Sequence, residues 1–167
     1  MLEPVKSYSE TNDDAMNEEL KEILKRLPYA DPFRFVDELG AISETGAAGR
    51  YTFRPESWFY PGHFPGNPVT PGVILTECCA QIGLVCLGIF LLGASVDTEP
   101  TSSSAFALTD SQMDFLLPVY PGETVRVVSE KQYFRFGKLR CDVRMYKADG
   151  QLACKGRLSG MIQNSAE

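Results

Sequence analysis

Residues 62–92 have the sequence GHFPGNPVTPGVILTECCAQIGLVCLGIFLL, which carries the strongest structural signal of the chain. It begins as a turn rich in proline and glycine and continues, over residues 73–92, as a nearly unbroken apolar run. A run of this length predicts one long helix that ends near Gly93. Because the helix is apolar on all sides, we expect it to be buried at the centre of the molecule.

The same run is long enough to cross a membrane. It contains Glu77 and Gln81, however, and polar side chains within a membrane span are costly. The sequence therefore favours a buried core helix over a transmembrane helix. The N-terminus shows no pattern typical of a signal peptide.

The residues around the helix predict a single α+β domain. A short amphipathic helix is expected at residues 17–26. Residues 33–37 are expected to start a strand, and further strands are expected at 47–54, 105–117, 124–136, 139–147 and 152–162. The hairpin turns are expected at Gly137-Lys138 and at Asp149-Gly150. Together these elements predict one long buried central helix wrapped by a curved antiparallel sheet.

The acidic residues are concentrated at the front of the chain, which predicts an acidic flexible N-terminal segment at residues 1–16 and a single domain at 17–163. The net charge of −6 over 167 residues argues against a nucleic-acid-binding protein.

Five cysteines without metal-ligand spacing, and only one histidine, argue against a zinc site. We expect free, buried thiols, with the adjacent Cys78 and Cys79 on different faces of the helix.

Two titratable residues flank the start of the central helix in a pattern that indicates acid–base chemistry. His63 lies in the turn, where a neutral imidazole can accept a proton from carbon. Glu77 lies inside the apolar helix, where desolvation favours the protonated carboxyl, and Gln81 follows it on the same face. The amides of Gly72 and Val73 lie at the helix N-terminus, where they can bind a carbonyl oxygen that gains negative charge. This combination suits elimination of water from a 3-hydroxyacyl thioester.

Three motifs resemble those of one enzyme family. The central one is FYPGHFPGNPVTPGVILTECCAQ at residues 59–81, with an opening motif around residues 27–37 and a later strand and turn at 115–123. They resemble the 3-hydroxyacyl-[acyl-carrier-protein] dehydratases of the FabZ type, which have a hotdog fold. The resemblance covers about residues 20–163. This chain departs from the family at residues 29–32, where Tyr-Ala-Asp-Pro replaces the usual His-Arg-Tyr-Pro, and at Thr70.

The resemblance assigns roles by position. His63 is the base on the α-carbon, and Glu77 of the other subunit acts on the departing hydroxyl. Gly72 supplies the oxyanion amide, the carbonyl of Val69 orients His63, and Gln81 supports Glu77. The resemblance also implies homodimers, often assembled into hexamers, no cofactor, a cytoplasmic enzyme, and a place in fatty-acid or related lipid or polyketide biosynthesis.

The implied partner is an acyl carrier protein with a phosphopantetheine-linked substrate. Acidic carriers are attracted to basic surfaces, and Arg135, Lys138 and Arg140 belong to a basic run in a predicted hairpin. We expect these three residues to contribute to carrier docking, although an ordinary solvated strand face is an alternative. Three other functions remain open at this point: hydrolysis of an acyl thioester, a dehydratase-isomerase of the FabA type, and a non-catalytic carrier-binding subunit.

Overall fold

A computed structural model describes residues 10–93 and 105–163 of the chain. The helices are α1 at Glu10–Lys25 and α2 at Gly72–Leu92. The strands are β1 at Glu38–Ser43, β2 at Gly46–Thr52, β3 at Ala105–Phe115, β4 at Thr124–Arg135, β5 at Lys138–Lys147 and β6 at Leu152–Gln163. The strands form one antiparallel sheet in the order β1-β2-β4-β5-β6-β3.

Helix α2 lies across this sheet and forms the core with it. Gly49 of β2 approaches Ile82, Gly160 of β6 approaches Leu84, and Phe106 of β3 lies against Gly88. Strands near both ends of the strand order therefore pack on this one helix. The sheet wraps around the helix, as the sequence predicted. The protein itself covers 78% of the most apolar 18-residue window of α2, which confirms that this membrane-length helix is a buried core helix.

The middle of α2 is wider than an ordinary α-helix. Gly72–Cys79 and Cys86–Leu92 are α-helical, whereas Ala80–Val85 forms a π-helical turn. Every residue of this turn is buried. π-helical turns often occur at functional sites, and this one begins one residue before Gln81.

All five cysteines are free and buried, as predicted. The Sγ of Cys78 donates to the carbonyl oxygen of Phe35, while the Sγ of Cys79 lies 4.0 Å from that of Cys154. The two adjacent thiols therefore point to different neighbours, which confirms that they lie on different faces of α2.

The predicted strand at residues 33–37 is wrong. These residues lie outside the sheet, and β1 begins only at Glu38. The physical reason is that Gln81 binds the backbone on both sides of Arg34, where a strand partner would otherwise bind. Asp37 then joins the sheet edge by donating its amide to the carbonyl of Arg50.

Other boundaries differ less. Helix α1 begins at Glu10 rather than Asn17, so it includes part of the predicted N-terminal segment. The turn between β4 and β5 is Phe136-Gly137, one residue earlier than predicted. Residues 1–9 and the predicted loop at 95–104 lie outside the described residues.

Candidate active site

The loop before α2 holds His63 through its backbone and its ring. The amide of His63 donates to the carbonyl of Phe59, and its carbonyl accepts from the amide of Val69. Its Nδ1 lies 2.7 Å from the carbonyl oxygen of Val69. A carbonyl oxygen only accepts hydrogen bonds, so Nδ1 carries the proton in this contact. The neutral ring then has its lone pair on Nε2.

Neighbouring contacts keep the same loop in place. The hydroxyls of Tyr60 and Thr70 lie 2.6 Å apart and are both buried. The amide of Thr70 donates to the carbonyl of Val119, in the segment between β3 and β4. Thr70, which departs from the family motif, is therefore a hydrogen-bonded anchor of the loop that carries Val69.

Glu77 lies half-buried on the second turn of α2, beside a buried amide. The Nε2 of Gln81 donates to Oε1 of Glu77 at 3.0 Å and to the carbonyl of Phe33 at 2.9 Å. The Oε1 of Gln81 accepts from the amide of Phe35 at 2.7 Å. Glu77 and Gln81, four residues apart on one helix face, are therefore hydrogen-bonded in the fold. This contact uses Oε1 of Glu77 and leaves Oε2 for other partners.

The N-terminus of α2 presents the amides of Gly72 and Val73. A helix leaves its first amides without intrahelical acceptors; here Ile74 and Leu75 donate to the carbonyl of Pro71, just behind those two residues. The ring of Phe115 packs so closely on Gly72 that a Cβ there would lie 3.0 Å from its Cζ. Glycine at this position lets the aromatic ring reach the helix terminus.

Phe115 and Tyr29 also lie near the predicted site residues, although the sequence did not predict their positions. Burial, followed by the charges of Glu77 and Cys86, raises the pKa of Tyr29, so this phenol lies in the electrostatic neighbourhood of the Glu77 carboxyl. Its signal in the sequence was the departure at residues 29–32. No pattern in the sequence placed Phe115 against Gly72.

The fold brings the predicted residues together in two separate groups. His63 and Val69 form one group in the loop, and Glu77 and Gln81 form another on the helix. The hydrogen bonds of His63 stay within residues 59–69, so they do not link it to Glu77 in the same chain.

The three predicted docking residues lie near the tip of the β4–β5 hairpin. Arg135 and Lys138 are opposite each other where the strands end. Arg140 lies further along β5, where its Nε donates to the hydroxyl of Ser159 at 2.9 Å and its guanidinium pairs with Asp110 at 3.4 Å. Arg140 is thus already engaged by the sheet.

The chain matches a family model for FabA-like domains over residues 27–159. The 3-hydroxyacyl-[acyl-carrier-protein] dehydratase FabZ of Sinorhizobium medicae is 34% identical over 148 residues, covering 86% of this chain and 89% of that protein. The protein of the same name from Geotalea uraniireducens is 33% identical over 151 residues, covering 89% of this chain and 99% of that protein.

Solved structures share the fold at low identity. The dehydratase heterocomplex ApeI:P from Xenorhabdus doucetiae matches with a TM-score of 0.72 at 13% identity, covering 86% of this chain and 91% of that one. The E. coli PaaI protein from the phenylacetic acid degradation operon matches with a TM-score of 0.54 at 15% identity, covering 90% and 95%. These likenesses confirm the predicted hotdog fold.

The family motif, the helix and sheet that carry it, and two relatives that align over nearly their whole length point the same way. The chain belongs to the family of FabA-like domains, with the FabZ-type 3-hydroxyacyl-[acyl-carrier-protein] dehydratases as its relatives.

Proposed function

We propose that this chain removes water from a (3R)-3-hydroxyacyl thioester of acyl carrier protein and forms the trans-2-enoyl thioester. The contact between His63 and Val69 carries the proposal. With Nδ1 donating to the Val69 carbonyl, Nε2 is left as the basic atom that takes a proton from the α-carbon of the substrate. The relatives named above are dehydratases of this kind.

Glu77 is the proposed general acid. Elimination needs a proton for the departing hydroxyl, so that the C–O bond breaks and water leaves while the double bond forms. Gln81 holds Oε1 of Glu77, and a protonated Oε2 would donate to the hydroxyl. One turnover leaves His63 protonated and Glu77 ionised, and loss of a proton from His63 to solvent with uptake of one by Glu77 restores the starting state.

The thioester carbonyl gains negative charge as the α-proton leaves. We place its oxygen at the amides of Gly72 and Val73, because the first amides of a helix point outward and the helix dipole favours an anion there. Donors fixed in advance where charge develops lower the barrier without reorganising. Phe115 would shield this point from water, since its ring already lies against Gly72.

The proposed site takes its two titratable residues from two chains. His63 of one subunit would face Glu77 of the other, which agrees with the separate hydrogen-bond groups within a single chain. The functional unit is then a homodimer, with a trimer of dimers as the higher assembly. The enzyme would work in the cytoplasm with an acyl carrier protein, whose acidic surface Arg135, Lys138 and Arg140 would attract.

The test is formation of enoyl thioester from a purified (3R)-3-hydroxyacyl-carrier substrate by wild type, His63→Ala and Glu77→Ala. We expect turnover to fall at least about 100-fold in both variants, while circular dichroism and the oligomeric mass stay as in wild type. Release of free thiol by the wild type without enoyl product would instead identify a thioester hydrolase. Substantial cis-3-enoyl product would identify a dehydratase-isomerase.

A further inference from the structure

The turn between β4 and β5 consists of two residues, Phe136 and Gly137. Both have positive φ, 53° and 72°, as in a type I′ hairpin turn. The side chain of Phe136 is 95% exposed, more than any other large apolar residue in the described part of the chain. A full aromatic ring therefore stands in solvent at the tip of a hairpin.

Phenylalanine is a poor residue for this position. Type I′ turns favour Asn-Gly or Asp-Gly, because the first central residue must adopt positive φ, and a bulky residue with positive φ is an outlier. The ring also gains no burial from the residues that the structure describes. Phe136 therefore weakens the turn, and burial of its ring does not offset this cost. Such a residue is expected to be buried by a binding partner.

The charges beside the ring point to the kind of partner. Arg135 and Lys138 are direct cross-strand neighbours on either side of Phe136, and like charges at such positions repel. Neither takes part in an ion pair within the described residues. The guanidinium of Arg135 lies 4.8 Å from the ring centroid of Tyr133, which keeps that charge at the tip.

We propose that Phe136 is an apolar anchor that inserts into a hydrophobic groove of the acidic acyl carrier protein, with Arg135 and Lys138 pairing with carboxylates at the rim of the groove. An apolar centre with a charged rim is the usual arrangement of a protein interface, and buried aromatic anchors provide much of its affinity. The inference rests on the proposed function, since it names the element of this chain that captures the carrier.

The position of the tip suits a carrier with a long prosthetic arm. The carbonyl of Gly137 accepts from the amide of Ile162, Ile162 pairs with Phe106, and Phe106 lies against Gly88 of α2. Gly88 is eleven residues beyond Glu77, which at 1.5 Å per residue is about 16 Å along the helix. A carrier on the tip would thus stay clear of Glu77 of the same chain, and an extended prosthetic arm would have to span this distance.

An anionic membrane is the other occupant with matching chemistry. The structure favours the carrier, because stable attachment to a membrane takes more than one weak apolar signal and this hairpin offers a single exposed ring.

The decisive variant is Phe136→Asn, which removes the ring and installs the residue that the turn prefers. We expect a higher melting temperature together with a KM for the carrier-bound substrate at least fivefold higher. The reference substrate is the same acyl group on N-acetylcysteamine, a small thiol without carrier. The ratio of kcat/KM for the carrier substrate to kcat/KM for the small thioester should fall at least fivefold.

The conservative variant Phe136→Tyr should restore most of that ratio. Arg135→Gln should lower the ratio, and the loss should shrink at high salt. The matched control is Arg126→Gln, which removes another exposed arginine of β4 that forms no ion pair with the described residues. It should leave the ratio unchanged.

An unchanged ratio in Phe136→Asn would overturn the inference, even if the melting temperature rises. A second contrary result is that the wild type sediments with anionic phospholipid vesicles while Phe136→Asn does not, with the ratio of the two kcat/KM values unchanged. That result would overturn the inference in favour of a membrane. A change in oligomeric mass at an unchanged ratio would overturn it in favour of a second copy of the chain. Failure of the wild type to dehydrate either substrate would instead refute the proposed function. Failure of the docking inference and failure of the proposed function therefore give different results.

Discussion

The side-chain amide of Gln81 donates to Oε1 of Glu77 at 3.0 Å, and the same amide holds the backbone of Phe33 and Phe35. Gln81 is completely buried, and its contact with the amide of Phe35 forms away from solvent. One side chain thereby fixes the proposed acid relative to the segment before β1. The position of the carboxyl consequently depends on the packing of a segment far away in the sequence.

Gln81→Leu should therefore weaken both the fold and catalysis. It leaves the buried amide of Phe35 without an acceptor, which we expect to lower the free energy of unfolding by about 1–3 kcal/mol. A displaced Glu77 should lower kcat by about 100-fold. Urea unfolding and steady-state kinetics measure the two effects.

The matched control is Gln112→Leu, which makes the same change at an exposed position of β3. Exposed substitutions of this kind usually alter stability by less than about 0.5 kcal/mol. Equal effects of the two substitutions on stability and on kcat would contradict the role given to Gln81.

Subunit exchange tests whether one site uses two chains. His63→Ala and Glu77→Ala homodimers should each be inactive, whereas mixed dimers contain one site with both residues intact. We expect complete exchange to recover about a quarter of wild-type activity, because half of the dimers are mixed and each has one of its two sites intact. Native mass spectrometry verifies the mixing, and no recovery in verified mixed dimers would place both residues in one chain.

Alkaline pH should destabilise the fold through buried thiols. Burial raises the pKa of Cys86 from 9.0 to about 12. Its neutral form therefore contributes stability that is fully present below pH 9 and is lost as the pH rises towards 12. At pH 10.5 this group alone should lower the free energy of unfolding by about 2 kcal/mol relative to neutral pH.

Urea unfolding at pH 7.5 and pH 10.5 checks this effect in Cys86→Ala. The loss of stability between the two pH values should be about 2 kcal/mol smaller than in wild type. The adjacent buried variant Val85→Ala removes methyl groups without removing a titratable group, and it should retain the full loss. The same loss in both variants would show that Cys86 is not responsible.

The contact of Gly88 with Phe106 should be intolerant of a methyl group. A Cβ at Gly88 would lie 2.3 Å from Cε2 of the Phe106 ring, so the ring would have to move. We expect Gly88→Ala to lower the free energy of unfolding by about 1–3 kcal/mol. Gly40→Ala is the control, because the nearest atom to a Cβ there is 3.7 Å away.

A double-mutant cycle with Phe106→Leu shows whether this collision is the cause. The smaller side chain should make Gly88→Ala less destabilising, with a coupling of at least about 0.5 kcal/mol. Additive effects of the two substitutions would mean that the loss comes from elsewhere in α2.

Local sequence signals were sufficient for the two helices and for strands β2 to β6, but not for β1. The apolar run that ends at Gly93 predicted α2, and alternation with an Asp149-Gly150 turn predicted β5 and β6, because side-chain periodicity and turn chemistry act within a few residues. The type of fold followed, since one helix that is apolar all round needs a sheet to cover it. The motif with His63, Glu77 and Gln81 was also visible, because its members lie close together along the chain.

Contacts between distant residues were decided only by the tertiary structure. The segment around Phe35 has the composition of a strand, but Gln81 takes its backbone hydrogen bonds, and no local pattern shows that competition. The packing of Phe115 on Gly72 likewise joins two elements that are far apart in sequence. Neighbours along the chain were therefore enough to predict α1, α2 and strands β2 to β6, because periodicity and turn chemistry are local. Which backbone groups pair and which rings meet depends instead on how the sheet closes over α2, so these contacts could not be predicted.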